Sequence, residues 1–182
     1  MHSDTPAKLQ TPLTPDAIAA LRAGDRVLIT GTIYTARDKA HAQLFRWKDL
    51  IPLEGAAIYH CGPLLRGGDV ISAGPTTSGR MARYASQVVD LGVRAIIGKG
   101  GLPGAADYLR GRAVYLAYPG GCGASAAGQL RLKGSFLPEL GMAESIWEME
   151  AEELGPMVVA IDAHGRDLYA EVRARACGQL ER

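Results

Sequence analysis

The stretch GPTTSGRM, residues 74–81, sets two threonines, a serine and an arginine between a helix-hostile Gly-Pro and the first turn of a helix. One hydroxyl suffices to cap a helix, so three of them with Arg80 one turn on form a candidate anion site. The backbone N–H groups that open the helix attract carboxylate or phosphate. Arg80 adds a planar fork that grips a carboxylate at two points, which lysine cannot do. The plainer alternative is Thr77 or Ser78 as a simple cap beside a solvated Arg80. Two further clusters have the same character. YTARDKAH, residues 34–41, brings Arg37, Asp38 and His41 together, and GKGGL, residues 98–102, holds Lys99 between glycines. Here too there are plain readings: Asp38 as a cap, His41 as a partly exposed helix residue, and Lys99 as a solvated turn lysine. What links the three clusters is that each cation follows a predicted strand, and strand ends are where α/β sheets gather ligands.

Competing signatures are weaker. GVRAIIGKGG has the wrong glycine spacing for a phosphate-cradling loop and places Gly100, not Ser or Thr, after Lys99. Gly121, Gly123 and Ala126 give the G-x-G-x-x-A of a dinucleotide loop, but Pro119 and Gly120 intervene after the strand. A dinucleotide-binding oxidoreductase therefore stays as an alternative function. Cys122 has no histidine after it before His164 to activate it as a nucleophile. Cys61, Cys122 and Cys177 are odd in number and lack metal-ligand spacing, so reduced thiols and a cytoplasmic location are expected, with no metal held by this chain. Twenty basic against nineteen acidic residues, without a basic run, argue against nucleic acid. The polar, proline-rich start has neither a signal-peptide core nor a membrane-spanning run, so no membrane partner is expected.

These residues need a scaffold, and the pattern is that of an α/β fold. Residues 1–13 read as a flexible N-terminal arm and residues 14–182 as one domain, opened by a short helix at 14–24 with Thr14 as cap and Pro15 in its first turn. RVLITGTIYTA, residues 26–36, is a buried strand in which Gly31 marks a bulge or a close backbone approach. Residues 37–50 have helical composition, with Ala40, Leu44 and Trp47 on one face. Strands are expected at AAIYH, DVISA, RAIIG and RAVYLAY, with helices at 80–91 and 103–109 between them. A small-residue segment at 120–130 and an edge region to Gly141 lead to two more strands, SIWEME and PMVVAID, and a helical tail from Asp167.

Taken in order, YTARDKAH, AAIYHCGP, AGPTTSGRM, IIGKGG and ELGMAESIWEMEAEELGPMVVAID resemble the beta region of iron-sulfur-dependent hydro-lyases, the class I fumarase and L-tartrate dehydratase family. The resemblance covers roughly residues 24–169. It implies a layered, swivelling β/β/α-type single domain over residues 14–182, and a half-enzyme. In such a family an alpha subunit carries a [4Fe-4S] cluster whose open iron binds the substrate, and the beta subunit closes over the site. The implied reaction is reversible hydration of a small dicarboxylate double bond, fumarate to malate, or dehydration of tartrate, by a hetero-oligomer. The resemblance assigns Thr76 as the catalytic base and Arg37, Arg80 and Lys99 as clamps for substrate carboxylates. A noncatalytic interaction or regulatory domain of the same fold is the remaining alternative.

Overall fold

A computed structural model describes residues 5–180. The chain runs β1 (Ala7–Gln10), α1 (Pro15–Ala19), β2 (Arg26–Thr35), α2 (Asp38–His41), α3 (Leu44–Trp47), β3 (Ala57–Tyr59), β4 (Leu64–Arg66) and β5 (Asp69–Ser72). A 3-10 turn (Ser78–Met81) then leads into α4 (Ala82–Asp90), followed by β6 (Ala95–Gly98), α5 (Ala105–Leu109), β7 (Val114–Ala117) and α6 (Gly123–Gly128). Last come β8 (Leu130–Phe136), β9 (Ile146–Ile161) and α7 (Leu168–Leu180). This is the α/β class read from the sequence.

Seven strands make one sheet in the order β1, β2, β3, β6, β7, β9, β8, while β4 and β5 form a separate hairpin. Strands β1, β2, β3, β6 and β7 are mutually parallel. Strand β9 runs antiparallel to β7 and β8 and also pairs along β2, so the sheet closes on itself. The alternation along the central strands explains why both faces are covered. Ala57, Tyr59, Ala95, Ile97, Val114 and Leu116 face a core shared with β1, β8 and β9. Ile58, Ile96 and Tyr115, the residues between them, face a second core under α2 to α5. A period of two with apolar residues on both sides is what a doubly covered parallel sheet requires.

Several local expectations hold. Thr14 caps α1 by accepting from the Ala17 amide at 3.2 Å, with Pro15 in the first turn. Gly31 is both bulge and close approach: the register between β2 and β9 shifts beside it, its φ is 102°, and a Cβ there would lie 2.5 Å from Thr11 Oγ1.

Others need correction. The expected helix at 37–50 is two single turns, although Ala40, Leu44 and Trp47 are buried as read. The break lets the His41 and Trp47 rings meet at 4.9 Å, whereas a straight helix would set residues six apart about 120° around its axis. SIWEME and PMVVAID are joined, but for Ser145 and Asp162, in one long strand, with Glu153 between them at a left-handed φ of 49°. Strand β8 was read only as an edge region, and it does form the sheet edge. Within the expected arm, residues 1–4 lie outside the described residues, but β1 pairs with β2 and both Leu9 and Leu13 are buried. The arm reading missed this because an edge strand that buries one side chain in four carries no periodic signal.

Leu13→Ala is therefore expected to cost about 2–5 kcal/mol of unfolding free energy, a core truncation. Denaturant titration checks it, and a change within about 0.5 kcal/mol would restore the arm.

Candidate active site

Three parallel strand ends gather the loops of interest. Arg37 and Asp38 leave β2, residues 60–62 leave β3, and Lys99 leaves β6. Across them lies the turn after β5. Pro75 bridges to Cys61 and Thr77 to Lys99. The Thr76 amide donates to the His60 carbonyl at 2.6 Å, the Lys99 amide to the Thr76 carbonyl at 3.1 Å, and the Ser78 amide to the Lys99 carbonyl at 2.9 Å. The turn is thus laced between the exits of β3 and β6, and its amides are satisfied by the sheet instead of by side-chain caps.

This lacing reassigns the hydroxyls. Neither Thr77 nor Ser78 caps the following helix. Thr77 is exposed, while Ser78 is fully buried with Oγ 2.9 Å from Nδ1 of His60. Gly98 leaves room for that hydroxyl, since a Cβ there would collide with it. Thr76 is half-buried, and its hydroxyl has no hydrogen-bond partner among the described residues.

The cations divide into two groups. Arg80 donates from Nη2 to Asp38 Oδ2 at 2.8 Å, joining the turn to the β2 exit. Asp38 is therefore an ion-pair partner and not a cap, and Arg37 at the N-cap position of α2 makes no side-chain cap bond. Arg37 reaches Glu144 at 3.4 Å and passes close over Gly62, while its Nε is buried without a partner among the described residues. Glu144 also accepts from the Lys39 amide at 2.9 Å, which fixes it beside Arg37. Lys99 shares backbone bonds with Thr76, but its side chain lies over Gly120 and lines a cavity of about 450 Å³ with Arg26, Tyr118 and Tyr169. That cavity is lined by none of Thr76, Arg37 and Arg80.

Beneath the charges is a neutral floor that sequence reasoning missed. His41, read as partly exposed, is buried; its Nδ1 bonds the Arg37 carbonyl at 2.8 Å and its Nε2 has no partner among the described residues. Its ring packs on Trp47 and on His60, at 4.9 and 5.2 Å. Burial lowers the His41 pKa to about 4, and burial together with neighbouring His41 holds His60 well below the ordinary imidazole range. The only sequence signal for His60 was its place at the end of AAIYH, where a strand meets the glycine of HCGP.

A metal centre does not fit these residues. No group of three His, Cys, Asp or Glu side chains that could hold a metal occurs among the described residues. Cys61 is buried with its thiol pushed up to about 12, Cys122 is half-buried before α6, and Cys177 is exposed on α7. The dinucleotide alternative also lacks its frame. The strand after α6 is β8, which pairs antiparallel with β9, whereas a dinucleotide loop needs a helix crossing to a parallel strand.

Comparison with known proteins places the chain in a family. Residues 2–172 match the Fumarase C-terminus family. The chain belongs to that family. It is 38% identical over 173 residues to the L(+)-tartrate dehydratase subunit beta of Escherichia coli K12, spanning 90% of this chain and 86% of that protein. A Methanocaldococcus jannaschii protein, provisionally given the same subunit name, is 38% identical over 92% of this chain and 93% of its own length. A Geobacillus stearothermophilus protein, provisionally named a class I fumarate hydratase, is 34% identical over 94% of this chain, which spans only 35% of that longer protein. The chain is thus of the beta-subunit type within a hydro-lyase family. No helix among its described residues is long and apolar enough to cross a membrane.

The buried histidines give this family member a pH signature. Its unfolded chain takes up a proton near pH 6.5, while folded His41 resists until about pH 4. Between those values the unfolded state binds more protons, so stability is complete above pH 6.5 and falls with acidification by about 3 kcal/mol from His41 alone. His60 acts in the same direction. Urea titrations at pH 7 and 4.5 measure the loss, and His41→Phe should shrink the difference.

Proposed function

We propose that this chain is the catalytic beta subunit of an iron-sulfur-dependent hydro-lyase, adding water reversibly across the double bond of a small dicarboxylate. Fumarate to malate is the leading assignment and dehydration of tartrate the other; the Geobacillus and Escherichia relatives support one each by name. The observation that carries the reading is Thr76, whose backbone is held on both sides by the sheet while its half-buried hydroxyl is left without a partner among the described residues.

In the dehydration direction a proton must leave a carbon beside a carboxylate, and the negative charge that spreads onto that carboxylate must be met by fixed donors. Thr76 Oγ1, in its deprotonated form, takes that proton as the C–OH bond on the neighbouring carbon breaks, and the partner's cluster would supply the Lewis acid for the departing hydroxide. A hydroxyl is intrinsically a poor base, so neighbouring cations must favour its charged form. Arg80 commits one nitrogen to Asp38 and keeps the rest of its fork for substrate, and Arg37 has an unmatched Nε. Lys99 leaves β6 beside Thr76, but its side chain leans over Gly120 into the separate cavity, so as a third cation it would have to swing back toward the turn. The [4Fe-4S] cluster belongs, in this reading, to a separate alpha subunit, since the cysteines here do not fit one. The active species is then a hetero-oligomer, and three free thiols favour the cytoplasm.

In the assembled enzyme, Thr76→Ala should lower kcat by about 10²-fold or more and abolish deuterium exchange at the substrate carbon. Normal exchange in that variant would exclude Thr76 as the base. Thr77→Ala, which removes no cap, should stay within about 0.5 kcal/mol of wild type.

Arg80→Lys keeps the charge and loses the fork, so kcat/KM should fall about tenfold or more with little change in stability. An unchanged value would make Arg80 a solvated partner of Asp38 only. Anaerobic reconstitution of the isolated chain with iron and sulfide should leave it without a stoichiometric cluster.

A further inference from the structure

Ser78 and His60 are both fully buried and hydrogen-bonded to each other at 2.9 Å, yet neither is among the proposed substrate-contacting residues. A serine at the start of a helix ordinarily turns its hydroxyl onto a free backbone N–H. Ser78 turns its hydroxyl inward instead, into the space left by Gly98. An apolar pair would fill the same volume without the cost of burying polar atoms, so the bond needs a reason beyond packing.

We propose that Ser78 and His60 are positioning residues for the hydration reaction, holding the Thr76 hydroxyl at the height and angle at which it meets the substrate carbon. This rests on the reading of Thr76 as the base. His60 grips the turn twice, through its carbonyl to the Thr76 amide and through its ring to Ser78. Ser78 grips Lys99 through its own amide, and the Tyr115 hydroxyl ties the next stretch by donating to the Gly100 carbonyl at 2.7 Å. Thr76 therefore has its backbone anchored on both sides, which fixes the direction in which its Cα–Cβ bond points. The same floor reaches the clamp. The His41 ring packs edge-on to His60 at 5.2 Å and bonds the Arg37 carbonyl at 2.8 Å, so tilting His60 also disturbs the residue that carries Arg37. Base and clamp are referenced to one buried pair of imidazoles.

The test uses the full chain assembled with its cluster-bearing partner. Ser78→Ala removes one oxygen, His60→Phe keeps a ring without the hydrogen-bonding atom, and His60→Asn restores a polar atom near the Nδ1 position. Ser78→Ala and His60→Phe are expected to lower kcat about tenfold or more while KM stays within about threefold, because displacement of the reacting group is felt in the chemical step. His60→Asn should recover part of that loss, and amide exchange at Thr76 and Lys99 should speed up in the two damaging variants. Unchanged protection of both amides overturns the proposal, as does a uniform loss of activity that tracks unfolding with no recovery in His60→Asn. Faster exchange with unchanged kcat also overturns it if Thr76→Ala is inactive in parallel. If Thr76→Ala is itself fully active, the faster exchange upholds the hold on Thr76 and the assignment of the base is what falls.

Discussion

The hydrogen bond from the Thr76 amide to the His60 carbonyl is the constraint on which the strand-end surface depends. Strand β5, which delivers the turn, belongs to a separate two-stranded hairpin and not to the main sheet. The hairpin's exit acquires a fixed place because its backbone completes the hydrogen bonding of β3 and β6 where those strands end. A turn held in this way satisfies its own buried amides and leaves its side chains free for other work. It also explains why two glycines flank the arrangement: Gly98 admits the Ser78 hydroxyl and Gly62 lets Arg37 pass overhead.

Charge and neutrality are separated by depth. Arg80 and Asp38 are partly exposed, and such a pair contributes little to stability. Its value is geometric, because it ties two loops whose residues are 42 positions apart in the chain. Below it, His41 and His60 are kept uncharged by burial, which spares the interior an unpaired charge. Among the described residues, Nε of Arg37 and Nε2 of His41 are both buried without a hydrogen-bond partner.

Much of the scaffold was legible because a doubly covered parallel sheet writes itself as short apolar runs bounded by glycine. The strands at AAIYH, RAIIG and RAVYLAY were readable for that reason, as was the Thr14 cap. Strand β1 was hidden because only Leu9 of its four residues is buried. The closure of the sheet was hidden because β9 was read as two strands, and a pairing of one strand with both β2 and β7 leaves no local trace. At the candidate site, the residue types were visible but their directions were not. Ser78 looked like a cap, His41 looked exposed, and His60 drew no notice beyond the segment that contains it.

The sequence by itself determined the central strands and the Thr14 cap, that cations and hydroxyls accumulate at strand ends, and, through the order of five motifs, the family. These are properties of neighbours along the chain: periodicity, capping residues, glycine turns. Only the tertiary structure decided that the Thr76 hydroxyl is unpartnered among the described residues, that Ser78 faces His60, that Arg80 is tied to Asp38, and that the Lys99 side chain leans across Gly120. The physical reason is that a hydroxyl or guanidinium has several partners of comparable strength within reach. Which one it takes is settled by the backbone of another strand brought alongside when the sheet closes.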